Sequence, residues 1–336
     1  MTTHRLGRES IHTVWDASLP PALRVQPGDT VVLDTLDASY GSVARRVQAG
    51  ELPLPGHLGP DLLGVISAGV YPPGELTGGQ RGHPLTGPVF VEGARPGDTL
   101  AVELLKVEPA AWGWTACRPD GIGLLDRLLA PELPADGYVH VWDLRGGTHA
   151  QFLPGIRLPL APFPGVVGLA LAEPGAHSTS PPRQVGGNMD IRQLVAGSTL
   201  YLPVEVEGGL LSAGDLHAAQ GDGELSGTGI EMEGRLTLRL SVLKDRPIAT
   251  PQFRAPPEPT DLWSAGSYAA TGHAPDLMDA ARTALHGLIV HVTREYGLSV
   301  PQAYVLSSAC VDLRISQIVD APNYTVSALL PLSIFG

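Results

Sequence analysis

Residues 25–33 read Val-Gln-Pro-Gly-Asp-Thr-Val-Val-Leu, and residues 94–102 repeat the pattern as Ala-Arg-Pro-Gly-Asp-Thr-Leu-Ala-Val. In both segments proline and glycine suit the central positions of a type II turn, where glycine supplies the positive φ. A run of β-branched residues and leucine follows each turn, as in a strand. A looser third copy, Val-Ala-Gly-Ser-Thr-Leu-Tyr-Leu, begins at residue 195. The irregular spacing of the copies excludes a solenoid and predicts equivalent corners of a β-sandwich or barrel.

The rest of residues 1–250 has the same succession of turns and short apolar runs. Residues 110–165 give only weak strand signals, and we expect an irregular excursion there. Residues 1–250 are therefore predicted to form a β-rich body. Its clearest further strands are predicted at Gly87–Glu92, Thr99–Val107, Thr199–Val206 and Arg235–Leu240.

The segment that follows the proline-rich stretch 247–260 has a different pattern. Apolar residues keep helical spacing through Asp276–Tyr296, and a second, short helix is predicted at Pro301–Ser308. Apolar and polar residues then alternate through Cys310–Val319, as in a strand. We therefore expect residues 251–336 to form an α/β C-terminal portion, a helix–helix–strand unit packed on the body.

Composition limits the possible partners of the protein. The chain has 336 residues and a formal net charge of −12, which argues against nucleic acid because phosphate binding needs a basic surface. No apolar run is long enough to span a membrane, and the polar start MTTHRLGRES lacks the apolar core of a signal peptide. Cys117 and Cys310 cannot form a disulfide framework or a four-thiolate zinc site. We expect a reduced, soluble, cytoplasmic protein.

Polar side chains concentrate in two glycine-rich segments, residues 186–190 (Gly-Gly-Asn-Met-Asp) and residues 214–224. On a strand, residues two apart point to one face, and an imidazole and a carboxylate placed so can ligate one divalent ion. The alternative is that these Gly-Asp pairs are ordinary turns with exposed side chains. The groups that these segments offer are Asn188, Asp190, Asp215, His217, Gln220, Asp222 and Glu224.

The same segments resemble a known family, the acetamidase/formamidase family. Its central signature resembles residues 183–234, RQVGGNMDIRQLVAGSTLYLPVEVEGGLLSAGDLHAAQGDGELSGTGIEMEG. Its earlier block resembles residues 83–104, HPLTGPVFVEGARPGDTLAVEL, and its terminal block resembles residues 307–331, SSACVDLRISQIVDAPNYTVSALLP. The resemblance implies metal-dependent hydrolysis of a small linear carboxamide, such as formamide or acetamide, to a carboxylate and ammonia. It also implies a jelly-roll-like β-sandwich or barrel body, an α/β C-terminal portion, and assembly into a homodimer or larger homo-oligomer.

Amide hydrolysis needs a polarised carbonyl, an activated water molecule and a proton donor for the leaving amine. A divalent ion supplies the first two. From the clustering and the family resemblance we expect His217 and Asp190 as metal ligands, with Asp215 or Asn188 as a third ligand or as an orienting group. Zinc is the expected ion because a histidine with carboxylates suits it, and calcium or manganese are the alternatives.

The remaining roles follow from the same reasoning. Glu224 is expected to act as general base and then as acid, with Asp222 as the second choice. Asp37 lies in a stretch that resembles the family's early acidic block and is a third catalytic candidate; its alternative role is a turn residue. Substrate contacts are expected from Asn188, Gln220 and His83.

Glu92 and Glu231 each interrupt a short apolar run that is typical of a strand. A charge in such a run needs a partner if it is buried. Each of these glutamates is therefore either functional or directed outward.

Rival chemistries fit the residues less well. A nitrilase-type site needs a cysteine beside a glutamate and a lysine, and neither Cys117 nor Cys310 has a lysine nearby in sequence. Ser307-Ser308 lacks the long glycine- and serine-rich segment of the Ser–Ser–Lys amidases, and no Gly-x-Ser-x-Gly elbow occurs. The non-enzymatic alternative is a β-sandwich module that binds a metal ion or a sugar. An open cavity beside the ligands would favour the hydrolase.

Overall fold

The computed structural model describes residues 1–69, 71, 82–119, 122–257, 260–319 and 321–335. The helices among them are α1 (Ser42–Gln48), α2 (Pro60–Ala68), α3 (Leu277–Tyr296) and α4 (Val300–Cys310), with 3-10 turns at Arg8–Ser10 and Leu332–Ile334. The strands are β1 (Thr3–Leu6), β2 (Ile11–His12), β3 (Val14–Trp15), β4 (Leu23–Val25), β5 (Thr30–Thr35), β6 (Leu85–Val91), β7 (Thr99–Pro109), β8 (Trp112–Cys117), β9 (Tyr138–Asp143), β10 (His149–Leu153), β11 (Ile156–Pro159), β12 (Phe163–Gly168), β13 (His177–Ser178), β14 (Gly186–Asn188), β15 (Thr199–Pro203), β16 (Leu211–His217), β17 (Glu231–Met232), β18 (Gly234–Leu243), β19 (Gln252–Arg254), β20 (Ser267–Ala274), β21 (Asp312–Gln317) and β22 (Tyr324–Pro331).

The three repeated corners form as the sequence predicts. Gly28, Gly97 and Gly197 have φ values of 93°, 92° and 93°, a conformation that glycine adopts without steric cost. Strands β5, β7 and β15 each begin at the threonine two residues after one of these glycines. All three belong to one six-stranded sheet with the order β1-β5-β18-β7-β15-β19. The repeat therefore marks equivalent strand starts in a single sheet.

A second sheet of nine strands carries β16 in its interior. Strand β16 pairs with β12, β17 and β6, all antiparallel. Every residue of β16 and of β12 is buried, so both faces of this part of the sheet are covered. One hydrophobic cluster joins the two sheets to α3 and α4. The predicted mainly β fold is confirmed, and within the described residues no sheet closes into a barrel.

Two features of the body differ from the sequence-based expectation. Helices α1 and α2 lie within the predicted β-rich body, and the sequence pattern did not reveal them. Residues 110–165, expected to be irregular with weak strands, carry the four strands from β8 to β11 and the start of β12. Strand β8, Trp-Gly-Trp-Thr-Ala-Cys, is buried along its whole length. A strand covered on both faces has no polar–apolar alternation, which is why its signal was weak.

The C-terminal portion contains the predicted helices and strand. Helix α3 begins after Asp276, whose carboxylate accepts a hydrogen bond from Asp279 N, and ends at Gly297 with a φ of 68°. Helix α4 runs to Cys310, so the strand β21 begins two residues later than predicted. The sequence did not reveal β20 and β22, which complete a three-stranded sheet with the order β20-β22-β21. Most of β20 is exposed and built from small residues, so it lacks an apolar face that a pattern could reveal.

Among the helices of the described residues, none has the length and apolar character needed to cross a membrane.

Candidate active site

Strand β16 places Asp215 and His217 side by side within the nine-stranded sheet. Glu231 of β17 lies directly opposite His217 in the strand register. His217 Nε2 is 3.1 Å from Glu231 Oε2 and 3.5 Å from Asp215 Oδ2. All three residues are buried. Strand pairing thus assembles one imidazole and two carboxylates into a compact group.

Asp190 and Glu224 join this group from two loops. Asp190 follows β14, and its carboxylate packs over Gly165 of the neighbouring strand β12. A Cβ atom at Gly165 would lie 2.7 Å from Asp190 Oδ1 and 3.0 Å from Asp215 Oδ2. Glycine at this position is therefore what allows the two carboxylates to approach each other. Glu224 offers a carboxylate oxygen within 4.8 Å of Asp190 and of His217.

Three of these carboxylate residues have left-handed backbone conformations. The φ angles are 51° at Asp190, 53° at Asp215 and 46° at Glu224. A non-glycine residue in this region costs on the order of 1–3 kcal/mol and persists where the surrounding structure enforces it. Such strain collects at functional sites because it directs a side chain where a relaxed backbone would not.

Gln220 fixes the orientation of His217. Its Nε2 donates to the Asp190 carbonyl oxygen at 2.9 Å, so its Oε1 faces His217 Nδ1 at 2.8 Å as an acceptor. Nδ1 must therefore carry a proton, and Nε2 is the ring atom directed at the carboxylates. Gln220, predicted to bind substrate, is 4% exposed, and its side chain contacts His217 and the Asp190 carbonyl oxygen. A hydrogen bond of this kind orients an imidazole ring.

The carboxylates of the site repel one another in a buried setting. Burial, together with the Asp190 charge, raises the pKa of Glu224 to about 8. Burial and the Asp215 charge likewise raise the pKa of Asp190 to about 6, against the opposing effect of His217. Burial also raises the pKa of Glu231 well above its usual value. Without a cation, this site therefore holds extra protons at neutral pH.

Asp215 and His217 behave as an ion pair within the same cluster. Burial alone would raise the pKa of Asp215, but the neighbouring His83 and His217 lower it overall. Burial would lower the pKa of His217, but Glu231 and Asp215 outweigh it and raise that pKa. The surrounding negative charge thus favours a positive charge at the imidazole position.

The donor atoms of the cluster fit a divalent cation. Asp215, His217 and Glu231 each offer one atom within 4.8 Å of the others, and Asp190 and Glu224 form a second such triplet with His217. A buried polar atom without a partner is costly, and a shared cation removes that cost for several atoms at once. Buried atoms without a hydrogen-bond partner in the described residues include Asp190 Oδ1, Asp215 Oδ1, His217 Nε2 and Glu231 Oε2.

A cavity of about 620 Å³ opens beside the cluster. Asp215, Glu224 and Glu231 all contribute to its wall. The acidic groups therefore face a space that a small molecule can enter. The other lining residues are Ala38, His83, Ile122, Leu124, Ser180, Asn188, Gly223, Gly227, Thr228 and Met278.

Comparison with known proteins identifies the chain. A sequence model of the Acetamidase/Formamidase family matches residues 79–175 and 170–336, which together cover most of the chain. The chain belongs to the acetamidase/formamidase family. It is therefore an amidase, an enzyme that hydrolyses the C–N bonds of linear amides.

Relatives match this amidase along almost its whole length. It is 30% identical to the formamidase of Methylophilus methylotrophus, over 97% of this chain and 89% of that protein. The crystal structure of an acetamidase from Bacillus halodurans is 30% identical, has a TM-score of 0.60, and is matched over 98% of this chain and 97% of that chain. A γ-lactamase from Delftia acidovorans is 26% identical with a TM-score of 0.76, over 97% of this chain and 89% of that chain.

Two predicted catalytic residues of the amidase lie outside the cavity. Asp222 Oδ1 accepts hydrogen bonds from Arg192 Nε and Gln193 Nε2, both at 3.2 Å, in a network behind the site. The alternation that grouped residues 222 and 224 does not apply here because this segment is a loop and not a strand. The structure therefore separates Asp222 from Glu224.

Asp37 is likewise engaged in the fold. Its Oδ2 accepts hydrogen bonds from Trp114 Nε1 at 2.7 Å and Ser39 Oγ at 2.5 Å, and its Oδ1 accepts one from Gly41 N at 2.8 Å. These bonds occupy both carboxylate oxygens and stabilise the turn before α1. Asp37 is buried and does not line the cavity, whereas its neighbour Ala38 does.

Two of the predicted substrate-binding residues do line the cavity. His83 Nε2 is 3.9 Å from Asp215 Oδ2. Asn188 Nδ2 donates to the Ser180 carbonyl oxygen at 3.0 Å. His83 thus lies near Asp215, and Asn188 lines the same cavity as the acidic residues.

Glu231 is the site residue that sequence reasoning left undecided. It is 2% exposed, and its Oε1 accepts a hydrogen bond from Gly229 N at 2.7 Å. Glu92, which gave the same sequence signal, is on the surface and pairs with Arg24 at 3.2 Å. The pattern of a lone glutamate in an apolar run could not distinguish the buried Glu231 from the surface Glu92, because it does not reveal which face of the strand is covered.

The structure also bears on the nitrilase-type chemistry, which needs a reactive cysteine beside a glutamate and a lysine. Burial raises the pKa of Cys117 to about 12 and raises that of Cys310 further, so both thiols remain protonated at neutral pH. Lys106 pairs with Glu108 at 2.7 Å, and Lys244 pairs with Asp98 at 2.6 Å. The lysines lie on strands of the six-stranded sheet or just beyond them. A nitrilase-type arrangement is absent from the described residues.

Proposed function

We propose that this amidase hydrolyses a small primary carboxamide to a carboxylate and ammonia with the help of a divalent metal ion. The observation that supports it is the convergence of buried, unpartnered donor atoms around His217 at the wall of an open cavity. His217, Asp215 and Glu231 would hold the ion, with Asp190 completing the set. One nitrogen with carboxylate oxygens suits zinc, or manganese as the alternative.

Such an ion, when bound, supplies Lewis acidity toward the amide carbonyl and toward water. The protein itself supplies the orientation and the proton transfers. Gln220 holds the His217 ring with Nε2 directed at the carboxylates. The negative charges of Asp190 and Asp215 also favour binding of a cation, and disfavour binding of an anion, in this part of the cavity.

Glu224 is assigned the proton transfers of the reaction. It lines the cavity, and its carboxylate lies within 4.8 Å of that of Asp190, so burial and mutual repulsion favour a carboxyl pair that shares one proton. One oxygen of such a pair can accept a proton from the attacking water, and the pair can return it to the leaving nitrogen as the C–N bond breaks. This gives a carboxylic acid and ammonia, which exchange a proton in water, so the products at neutral pH are a carboxylate and ammonium, with atoms and protons balanced.

The test pairs Glu224→Gln with Asp222→Asn as the matched control. We expect Glu224→Gln to lose about 10²- to 10⁴-fold in kcat with metal content, measured by elemental analysis, near wild type. Asp222→Asn changes a carboxylate in the same loop outside the cavity and should keep most of the activity. Equal losses in the two variants, or full activity in Glu224→Gln, would contradict the assignment.

Metal dependence has its own test. Chelation should abolish ammonia release and also lower the melting temperature, because removing a ligand that binds only the folded state destabilises it. Chelation of a protein in which His217 is replaced by alanine should leave the melting temperature unchanged. Amide hydrolysis that survives complete removal of metal would refute the metal part of the proposal.

We also propose that the protein is a homo-oligomer in the cytoplasm. The apolar side chains of Ile315, Ile318 and Val319 are 60%, 52% and 81% exposed at the end of the C-terminal sheet, which favours burial against another chain. Light scattering on the purified protein gives the oligomeric state directly, and a monomer at micromolar concentration would contradict it.

A further inference from the structure

The catalytic cavity is larger than the smallest amides require. Its volume is about 620 Å³. A water molecule accounts for about 30 Å³ of liquid volume, so formamide, with three heavy atoms, needs on the order of 100 Å³. Cavities between about 300 and 1,000 Å³ commonly hold molecules of drug size. Most of the space therefore lies beyond the reach of a formyl or acetyl group.

Part of the cavity wall is apolar and exposed. Ile122 is 67% exposed and Met278 is 50% exposed, and both line the cavity together with Leu124. Single exposed apolar residues are common on protein surfaces, but here three apolar side chains line one catalytic cavity. A bound apolar group would remove these side chains from water, which is favourable in proportion to the area covered.

The apolar wall lies next to the loop that carries Glu224, called the acid loop below. A Cβ atom at Gly227 would lie 2.7 Å from Ile122 Cγ2, so the isoleucine side chain rests directly on this glycine. Leu124 N donates to the Leu225 carbonyl oxygen at 2.9 Å. Leu225 follows Glu224 in sequence, so the apolar wall begins beside the proposed proton donor.

A second cavity of about 210 Å³ adjoins the first. The two share Ala38, Ile122, Gly227 and Thr228 in their walls. Trp114 and Ala116 add apolar surface to the second cavity. An extended chain that passes Ile122 therefore has further space to occupy.

The polar part of the wall suits an unsubstituted amide nitrogen. Asn188 donates its Nδ2 to Ser180, and its Oδ1 is buried with no hydrogen-bond partner in the described residues. This oxygen can accept a hydrogen bond from a primary NH2 group, which has two N–H donors. An N-alkyl substituent would remove one of them.

We infer that the substrates of this amidase are primary amides with an apolar acyl group of about four or more carbons, bound by Ile122, Leu124 and Met278. The inference rests on the proposed amide hydrolysis and adds the substrate class. The amide nitrogen lies toward Asn188 and the acyl chain lies along the apolar wall. Formamide and acetamide are too short to cover these apolar side chains, which therefore stay exposed to water and contribute no binding energy.

The first test compares kcat/KM for ammonia release across formamide, acetamide, butanamide and hexanamide. Each methylene placed on the wall should raise kcat/KM about fourfold. Ile122→Asn and Met278→Gln should flatten this dependence and reduce the ratio of kcat/KM for hexanamide to that for formamide about tenfold or more. Leu128→Asn and Val290→Asn are matched controls, because these residues are 53% and 50% exposed on the same loop and the same helix but outside both cavities.

The second test measures binding without turnover. Saturation-transfer NMR with Glu224→Gln protein should give a lower Kd for hexanamide than for acetamide, and Ile122→Asn should remove the difference. Chain-length-dependent binding without hydrolysis by wild type would support the acyl wall and refute the proposed function. Hydrolysis that is fastest for formamide, controls that match the wall variants, or N-butylformamide cleaved as fast as hexanamide would overturn the inference.

Discussion

Replacing Tyr304 with phenylalanine removes one buried hydroxyl group that joins α4 to the loops of the active site. Tyr304 is fully buried. Its hydroxyl donates to the Leu225 carbonyl oxygen at 2.7 Å and accepts from Leu125 N at 2.8 Å. The first bond fastens the residue that follows Glu224, and the second fastens the segment that carries Leu124.

The loss of unfolding free energy depends on which hydrogen bonds Leu225 and Leu125 keep when the Tyr304 hydroxyl is removed. The Leu225 carbonyl keeps the hydrogen bond from Leu124 N, so its loss is one ordinary bond of about 0.5–1.5 kcal/mol. The Leu125 amide loses its partner in a buried position, which costs about 1–3 kcal/mol. We therefore expect Tyr304→Phe to lower the free energy of unfolding by about 1.5–4.5 kcal/mol.

Urea unfolding followed by tryptophan fluorescence measures this change, and ammonia release measures its effect on the loop. We expect kcat to fall as well, because Glu224 depends on the position of Leu225. Tyr268→Phe is the control: Tyr268 is 39% exposed and stacks on His291, so its unfolding free energy should stay within about 0.5 kcal/mol of wild type. Equal stability in Tyr304→Phe and wild type would refute the reasoning.

Two further predictions concern the fold around the site. In Gly165→Ala the new Cβ would lie 2.7 Å from Asp190 Oδ1. We therefore expect loss of the proposed metal ion, measured by elemental analysis, and loss of activity, with an unchanged circular dichroism spectrum. Retention of the metal would contradict this prediction. Burial and the nearby His57 lower the pKa of His140 to about 3. As the pH drops below about 6.5, this histidine is protonated in the unfolded chain but not in the folded protein, so the free energy of unfolding falls. Between pH 7.5 and pH 5.5 this amounts to about 1.4 kcal/mol, which His140→Phe should remove from the pH dependence of urea unfolding; an unchanged dependence would refute it.

The sequence predicted those parts of the fold that are set by local backbone chemistry. The corners at Gly28, Gly97 and Gly197 depend on positive φ at a glycine, and they formed as expected. Helix α3 was predicted because one face of it is apolar and its ends carry Asp276 and Gly297. Strand β8 was not, because a strand buried on both faces has no alternation to detect.

The site was predictable only where sequence neighbours share a strand. Asp215 and His217 lie two residues apart on β16 and point into one cluster. Asp222 and Glu224 have the same spacing, but Gly223 has a φ of 110° and the loop turns the two carboxylates apart. Glu231 reaches His217 through strand pairing, which a single sequence does not display.

The fastening of the acid loop by α4 has a consequence for biosynthesis. All the acidic groups of the site precede residue 232, whereas the tyrosine and serine hydroxyls that fix their loop belong to residues 304 and 308. A polypeptide still emerging from the ribosome therefore exposes a complete set of reactive side chains before it can arrange them. The hydrogen bonds of Tyr304 and Ser308 can form only after this late helix has been synthesised, so we expect a polypeptide terminated upstream of α4 to lack them.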